Sequence, residues 1–327
     1  MKATPRVLVT GSAGFLGQRV CLALRHHGWH VRAMIHRHAS SVASDDCVAA
    51  DICAPDSLRR AVDGVDAIVH LAARVHVMRE TASNPLQAFR TVNVEGTRTL
   101  LAAAQEMGTS RFLLISSVKA VAELSVGPLT SRTPPEPRDP YGVSKLEAER
   151  LVADIDSTKL RTSILRLPLV YGPGMGGNML RLFQLVDRGV PLPFGNIPNA
   201  RSIVYADNVA AAIAHVLALP ELPSGPFFVS DGDDVSTTDL VRAIAEALGR
   251  PSRLIPMPPA VIKTIRSIAS AGTRVGLPDL GPAIDRLLSS LRVDGAEIQA
   301  VTGFVPPFTT SEGLQRTATW FRARSLS

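Results

Sequence analysis

The chain predicts a doubly wound α/β fold: a parallel Rossmann sheet joined to a smaller, mostly helical C-terminal domain. Three observations carry this. A short apolar run, Arg6-Val7-Leu8-Val9-Thr10, passes at once into a glycine turn and an amphipathic helical pattern ending near His27. Further apolar runs then alternate with helical stretches, as a parallel sheet requires. With 327 residues, 46% of them hydrophobic, the chain can bury a sizeable core.

The turn reads Gly11-Ser12-Ala13-Gly14-Phe15-Leu16-Gly17. Gly11 permits the tight turn, Gly14 admits a pyrophosphate to the backbone, and Gly17 lets helix and strand approach. The spacing is GxxGxxG, not the commoner GxGxxG. Helix N-termini offer unpaired amides to phosphate, so Gly11, Ala13, Gly14, Phe15, Leu16 and Gly17 are the candidate dinucleotide cradle. A second strand, Val31 to Ile35, ends at His36-Arg37-His38 with no acid to bind ribose hydroxyls. Arg37 suits a 2′-phosphate instead, which favours NADP(H) over NAD(H). The histidines crowded between His26 and His38 read as solvated loop residues, because no carboxylate or Cys completes a metal site with them.

A third strand, Cys47 to Ala50, delivers Asp51 and Ile52 either to an adenine amine or to the start of a helix. The fourth, from Asp66, runs into Leu71, Ala72 and Ala73, where small side chains allow close approach of a cofactor. Pro85 to Met107 predicts one long helix, and Arg111 to Ser117 a fifth strand ending in Ser116-Ser117. Ligands of such sheets bind at the carboxyl ends of the strands, where these serines fall.

Asp139 is an N-cap residue type and Pro140 suits the first helical position, so a helix is predicted to open there. Tyr141 and Lys145 then share one face. A phenol is a poor acid or base at neutral pH, but an ammonium one turn away favours the phenolate and lowers its pKa. The pair reads as a general acid/base, or else as a surface Tyr and Lys sharing a turn.

In order, the chain carries Thr10-Gly11-x-x-Gly14-x-x-Gly17, Asp51, His70-Leu71-Ala72-Ala73, Asn93-Val94-x-Gly96-Thr97, Ser116-Ser117 and Tyr141-x-x-x-Lys145. Arg166-Leu167-Pro168, Val170-Tyr171-Gly172-Pro173-Gly174, Gly177-Asn178, Arg201 to Asn208 and Ser230-Asp231-Gly232 follow. This ordered set resembles the extended short-chain dehydrogenase/reductases of the NAD-dependent nucleotide-sugar epimerase/dehydratase family. Within it, the likeness is to UDP-sugar 4-epimerases and to the 4-keto reductases that form UDP-N-acetylquinovosamine for surface polysaccharides. The resemblance implies that Tyr141 exchanges a proton with the sugar C4 oxygen while nicotinamide exchanges a hydride with C4. It implies that Lys145 binds the nicotinamide ribose and that Ser117 bonds the sugar oxygen, with Ser116 as the alternative. It further places Asn93, Ser116 and Pro168 beside the cofactor, Asn178 and Arg201 at the nucleotide diphosphate, and Leu291 in the sugar-pocket wall. Arg201 alternatively forms a structural salt bridge with Asp207 or a neighbour. Dehydratases of the family carry an acidic pair after the catalytic hydroxyl; Val118-Lys119 stands there and argues against 4,6-dehydration.

The predicted division is residues 1–171 for the dinucleotide domain, with 201–230 returning to it, and 172–200 with 231–327 for the substrate domain. A capped helix is expected over Ser236 to Leu248, and Pro259 to Ala271 reads as a domain-packing helix rather than a membrane-surface one. No apolar run reaches the ~18–20 residues of a membrane span. The N-terminus has no signal-peptide core, and Cys21, Cys47 and Cys53 lack CxxC spacing, so a reduced cytoplasm is expected. The net charge of +6 is not gathered into a basic run with aromatics, which leaves an anionic small substrate and no nucleic acid as the expectation. The family likeness implies a homodimer. Three functions are weighed: a 4-keto reductase using NADP(H), a 4-epimerase that retains NAD, and a dinucleotide-sensing protein without turnover.

Overall fold

A computed structural model describes residues 4–36, 42–75, 83–257 and 288–325. Its large sheet has seven strands: β1 (Arg6–Thr10), β2 (His30–Ile35), β3 (Asp46–Ala49), β4 (Ala67–His70), β5 (Arg111–Ser117), β7 (Arg161–Leu167) and β10 (Pro226–Phe228). They lie in the order β10-β7-β5-β4-β1-β2-β3, every pair parallel, so the predicted Rossmann sheet is present. The central strands read as apolar runs because both faces are covered. Helix α1 (Phe15–His26) and helix α7 (Ala206–Ala218) cover one face around Val7, Val9, Leu113 and Leu165. On the other face, Leu8, Ile68, Phe112 and Leu114 meet α2 (Pro55–Val62), α4 (Gly96–Glu106) and α5 (Pro140–Ala153).

The helix expected over Pro85 to Met107 is divided. Helix α3 (Pro85–Arg90) passes into a wide π-type turn at Thr91–Glu95 before α4. Such turns displace the following side chains and recur at functional sites.

A third cluster lies outside this sheet. Strands β8 (Leu169–Tyr171), β9 (Arg201–Tyr205) and β11 (Asp234–Val235) form a three-stranded sheet. Its core, with Tyr171 and Tyr205, takes in α6 (Gly177–Asp187), α8 (Thr237–Ala247) and α10 (Thr310–Ser325). Helix α8 starts where expected, with Ser236 Oγ accepting the Asp239 amide. Of the segment 201–230, α7 and β10 return to the large sheet, whereas β9 pairs with β8 and β11. Asp231 ties this junction together. It accepts from Tyr171 Oη at 2.8 Å, the Tyr205 amide at 2.8 Å and Asn208 Nδ2 at 2.7 Å. A short β6 (Pro128–Leu129) pairs with β12 (Arg292–Val293), followed by α9 (Ala296–Thr302). The expected helix at Pro259 to Ala271 lies outside the described residues. No helix among the described residues is long and apolar enough to cross a membrane.

Candidate active site

A cleft of about 920 Å³ opens at the carboxyl ends of β1, β4, β5 and β7. Its floor is the glycine turn. Gly11 has φ +68°, and a Cβ there would lie 2.8 Å from the Ala72 nitrogen; one on Gly17 would lie 2.2 Å from Gly11 O. Only glycine keeps α1 this close to the β1 and β4 ends. Gly14, the N-cap of α1, has no side chain to bond the first helical amides, which leaves them to a phosphate. Gly11, Ala13, Gly14, Phe15, Leu16 and Gly17 all line the cleft, as do Asp51, Ile52, Leu71, Ala72 and Ala73. Asp51 lines the cleft and accepts the Cys53 amide at 2.9 Å, in the turn ahead of α2, whose N-cap is Ala54. Arg37 lies outside the described residues; His36, before it, lines the cleft.

Ser116, Ser117, Tyr141, Lys145 and Pro168 converge on the same cleft. Helix α5 opens as predicted, Asp139 Oδ1 accepting the Gly142 amide at 2.6 Å. Ser116 Oγ is buried without a protein partner in the cleft wall, as a cofactor-binding hydroxyl would be. The glycine cradle, free helix amides and orphaned hydroxyl fit a nicotinamide dinucleotide.

The electrostatics depart from expectation. Burial pushes the Tyr141 phenol up to about 12, against a hydrogen bond with Ser117 and with the Asp139 charge adding to the rise. Lys145 was expected to lower it. Its Nζ instead donates to Ile115 O at 2.7 Å, and burial brings the ammonium down to about 8, with Glu149 opposing. Desolvation sets the direction at both groups.

Asn93 does not line the cleft. It sits buried in the π-type turn, accepts the Arg74 amide at 2.8 Å, and donates to Arg74 O at 3.0 Å and to Ser144 Oγ at 2.9 Å. It thus clamps the segment after β4 to α5. His70, 1% exposed, completes the scaffold. Thr97 Oγ1 donates to Asn93 O at 2.7 Å, so it accepts from His70 Nε2 at 2.9 Å. Nδ1 then accepts from Thr10 Oγ1 at 2.8 Å, and Thr10 Oγ1 accepts the Ala72 amide at 3.1 Å. Burial, aided by the Lys145 charge, pushes the His70 imidazole down to about 3, so it is neutral. Thr10 and Thr97 flank His70 in space but stand 60 and 27 residues from it in the chain, so no local sequence signal joins the three.

Lys119, where dehydratases place an acid, is ion-paired with Asp139 and, at 3.5 Å, with Glu123, while its amide donates to Ser117 Oγ at 3.2 Å. The predicted substrate residues lie elsewhere. Asn178 is exposed in the first turn of α6. Arg201 Nη1 donates to Ser289 O at 2.9 Å; its suggested partner Asp207 is paired with Arg19 instead. Leu291 is buried with Val118, Val121, Leu129, Phe228 and Val293, directly behind the turn after Ser117.

A family profile described as "NAD dependent epimerase/dehydratase family" matches residues 7–228. A UDP-glucose 4-epimerase of Vibrio cholerae is 36% identical over 98% of this chain and 96% of its own length. A ceramide reductase of Caulobacter vibrioides is 28% identical over 97% and 94%. Among solved structures, MoeE5 in complex with UDP-glucuronic acid and NAD superposes with a TM-score of 0.77 at 26% identity, covering 98% of this chain and 99% of that one. From the match over most of its length and from these relatives, the chain belongs to the NAD dependent epimerase/dehydratase family.

Proposed function

We propose that this protein is an NADP(H)-dependent reductase acting at C4 of a UDP-4-keto-6-deoxy-N-acetylhexosamine, as used in surface-polysaccharide synthesis. Membership of the family makes it a nicotinamide-dependent enzyme of nucleotide-sugar chemistry. The observation that carries the reductase reading is the end of β2, where His36 rather than an acid lines the cleft, although a site that selects NAD places an acid there for the ribose hydroxyls. The Tyr141 phenol holds its proton at neutral pH, ready to donate it to a C4 oxygen as hydride arrives.

In this reading the glycine turn, Ala13, Phe15 and Leu16 hold the pyrophosphate, Asp51 and Ile52 the adenine end, and Arg37 a 2′-phosphate. Leu71, Ala72, Ala73, Ser116 and Pro168 border the nicotinamide half. When bound, the dinucleotide supplies the hydride. Ser117 and Tyr141 grip the C4 oxygen, and Tyr141 gives up its proton. Lys145 donates to the nicotinamide ribose and offsets the developing phenolate charge. Asn178 and Arg201 meet the UDP diphosphate, and Leu291 backs the sugar wall. Val118-Lys119 stands where a 4,6-dehydratase needs its acidic pair, and the Lys119 ammonium is paired with Asp139 and Glu123. A homodimer is part of the proposal.

One observation favours a second reading: the likeness to the Vibrio cholerae 4-epimerase runs over almost the whole chain. A 4-epimerase would retain NAD and return the hydride to the opposite face. Denaturing the purified protein and identifying any released dinucleotide separates the two. The reductase reading expects none, or NADP(H) in exchange with solution; stoichiometric, tightly held NAD would support the epimerase.

A further inference from the structure

Behind Lys145 stands a buried ion pair that the chemistry above does not use. Glu149 follows Lys145 by four residues on α5, hence on the same face. Arg166 on β7 meets it side by side, with Nη2 2.7 Å from Glu149 Oε2 and Nε 3.1 Å from Oε1. The pair's side chains are 6% and 5% exposed. Arg166 also lies over the Phe228 ring, 5.6 Å from its centroid, and its Nη1 is buried without a protein partner.

A buried ion pair is a poor source of stability, since desolvation offsets its attraction and an apolar replacement commonly does as well. Its placement suggests another use. The charged or titratable groups around the Lys145 ammonium are few. Tyr141 and Glu149 come from its own helix, His70 from β4, and Arg166 from β7 through Glu149. Tyr141 and His70 are neutral at pH 7. Glu149 is therefore the anion available to an ammonium whose one hydrogen-bond partner given by the structure is a backbone carbonyl, Ile115 O.

We propose that Glu149, held in place by Arg166, is a positioning residue that keeps Lys145 charged at working pH. The division of labour follows from distance: Glu149 sits one turn from Lys145, whereas Arg166 approaches the carboxylate from the sheet. Arg166 fixes the Glu149 carboxylate in an apolar setting, one helical turn from the ammonium that its field reaches. Burial alone drives Lys145 down, and Glu149 is what limits the fall to about 8. The idea rests on the Tyr141–Lys145 reading above, but it is tested separately from it.

The lysines of the chain are Lys2, Lys119, Lys145, Lys159 and Lys263, so Lys145 can be followed by NMR of protein labelled with 13C at lysine Cε, assigned with Lys145→Met. In the wild type, Lys145 is expected to titrate near pH 8. In Glu149→Gln the midpoint should fall by about one unit or more, and the alkaline limb of the pH–rate profile should move with it. Glu149→Asp should restore much of the loss, and Arg166→Lys should hold the midpoint near the wild-type value. Should Glu149→Gln not fold, the double variant Glu149→Gln/Arg166→Gln replaces both charges with amides, and its midpoint should still fall, by less. A folded Glu149→Gln, or double variant, whose Lys145 midpoint stays within about 0.3 unit of wild type overturns the proposal. A midpoint that moves while turnover ignores it, and Tyr141→Phe stays active, upholds the electrostatic role and sinks the catalytic reading instead.

Discussion

The two sides of the active cleft are built on different principles. On the dinucleotide side, the site is backbone: Gly11, Gly17 and the first amides of α1, set within a few residues of one strand end. On the proposed sugar side, it is side chains carried by distant elements, none of them in the lining of the described cleft: Asn178 on α6, Arg201 on β9 and Leu291 ahead of β12. The first kind fits one cofactor class and tolerates no substitution that adds a Cβ. The second can be re-aimed residue by residue, which suits a family whose members share the cofactor and differ in substrate.

That contrast can be broken by experiment. Tyr141→Phe, at the meeting point of the two sides, should lower turnover by about 10²–10⁴-fold while dinucleotide affinity, read by fluorescence titration, is unchanged. Equal loss of both would mean that Tyr141 is structural. Gly17→Ala places a Cβ 2.2 Å from Gly11 O and should cost about 1–3 kcal/mol or more of stability in denaturant melts, together with dinucleotide binding.

Lys145→Met should abolish turnover yet stabilise the fold. Burial lowers the folded-state pKa of Lys145 from 10.5 to about 8, so the charged ammonium costs the fold on the order of 3 kcal/mol below pH 8. That cost is relieved as pH rises from about 8 towards 10.5, because there only the unfolded chain still holds the proton. The variant's advantage in melts should therefore be greatest at neutral pH and shrink across that window. An advantage that does not change with pH would contradict the assignment. The smallest effect is expected on the sugar side: Arg201→Ala should raise KM for the UDP-sugar about tenfold, some 1.4 kcal/mol, and leave NADPH binding alone.

The same contrast explains what could be read from the chain. The start of α5 at Asp139 and Pro140, the glycine turn and the first five strands of the parallel sheet were legible because each depends on neighbours in sequence. Asn93 was not, because the π-type turn sends its amide to Arg74 and Ser144 rather than to the cleft. Arg201 was offered Asp207 or a neighbour as a partner, and the Asp207 carboxylate belongs to Arg19, across 188 residues. The Tyr141 phenol was expected to be lowered by its spacing from Lys145. Spacing carries no information on burial, and burial decides the sign at both residues.

The central claim is that a protonated Tyr141 meets a C4 oxygen while NADPH delivers hydride to the same carbon. Its most direct test is to supply the purified enzyme with NADPH deuterated at its transferable position and a UDP-4-keto-6-deoxy-N-acetylhexosamine. The account predicts one NADPH consumed per sugar reduced and deuterium at C4 of the product. UDP-sugars that interconvert with no net cofactor use and no deuterium gained would contradict it.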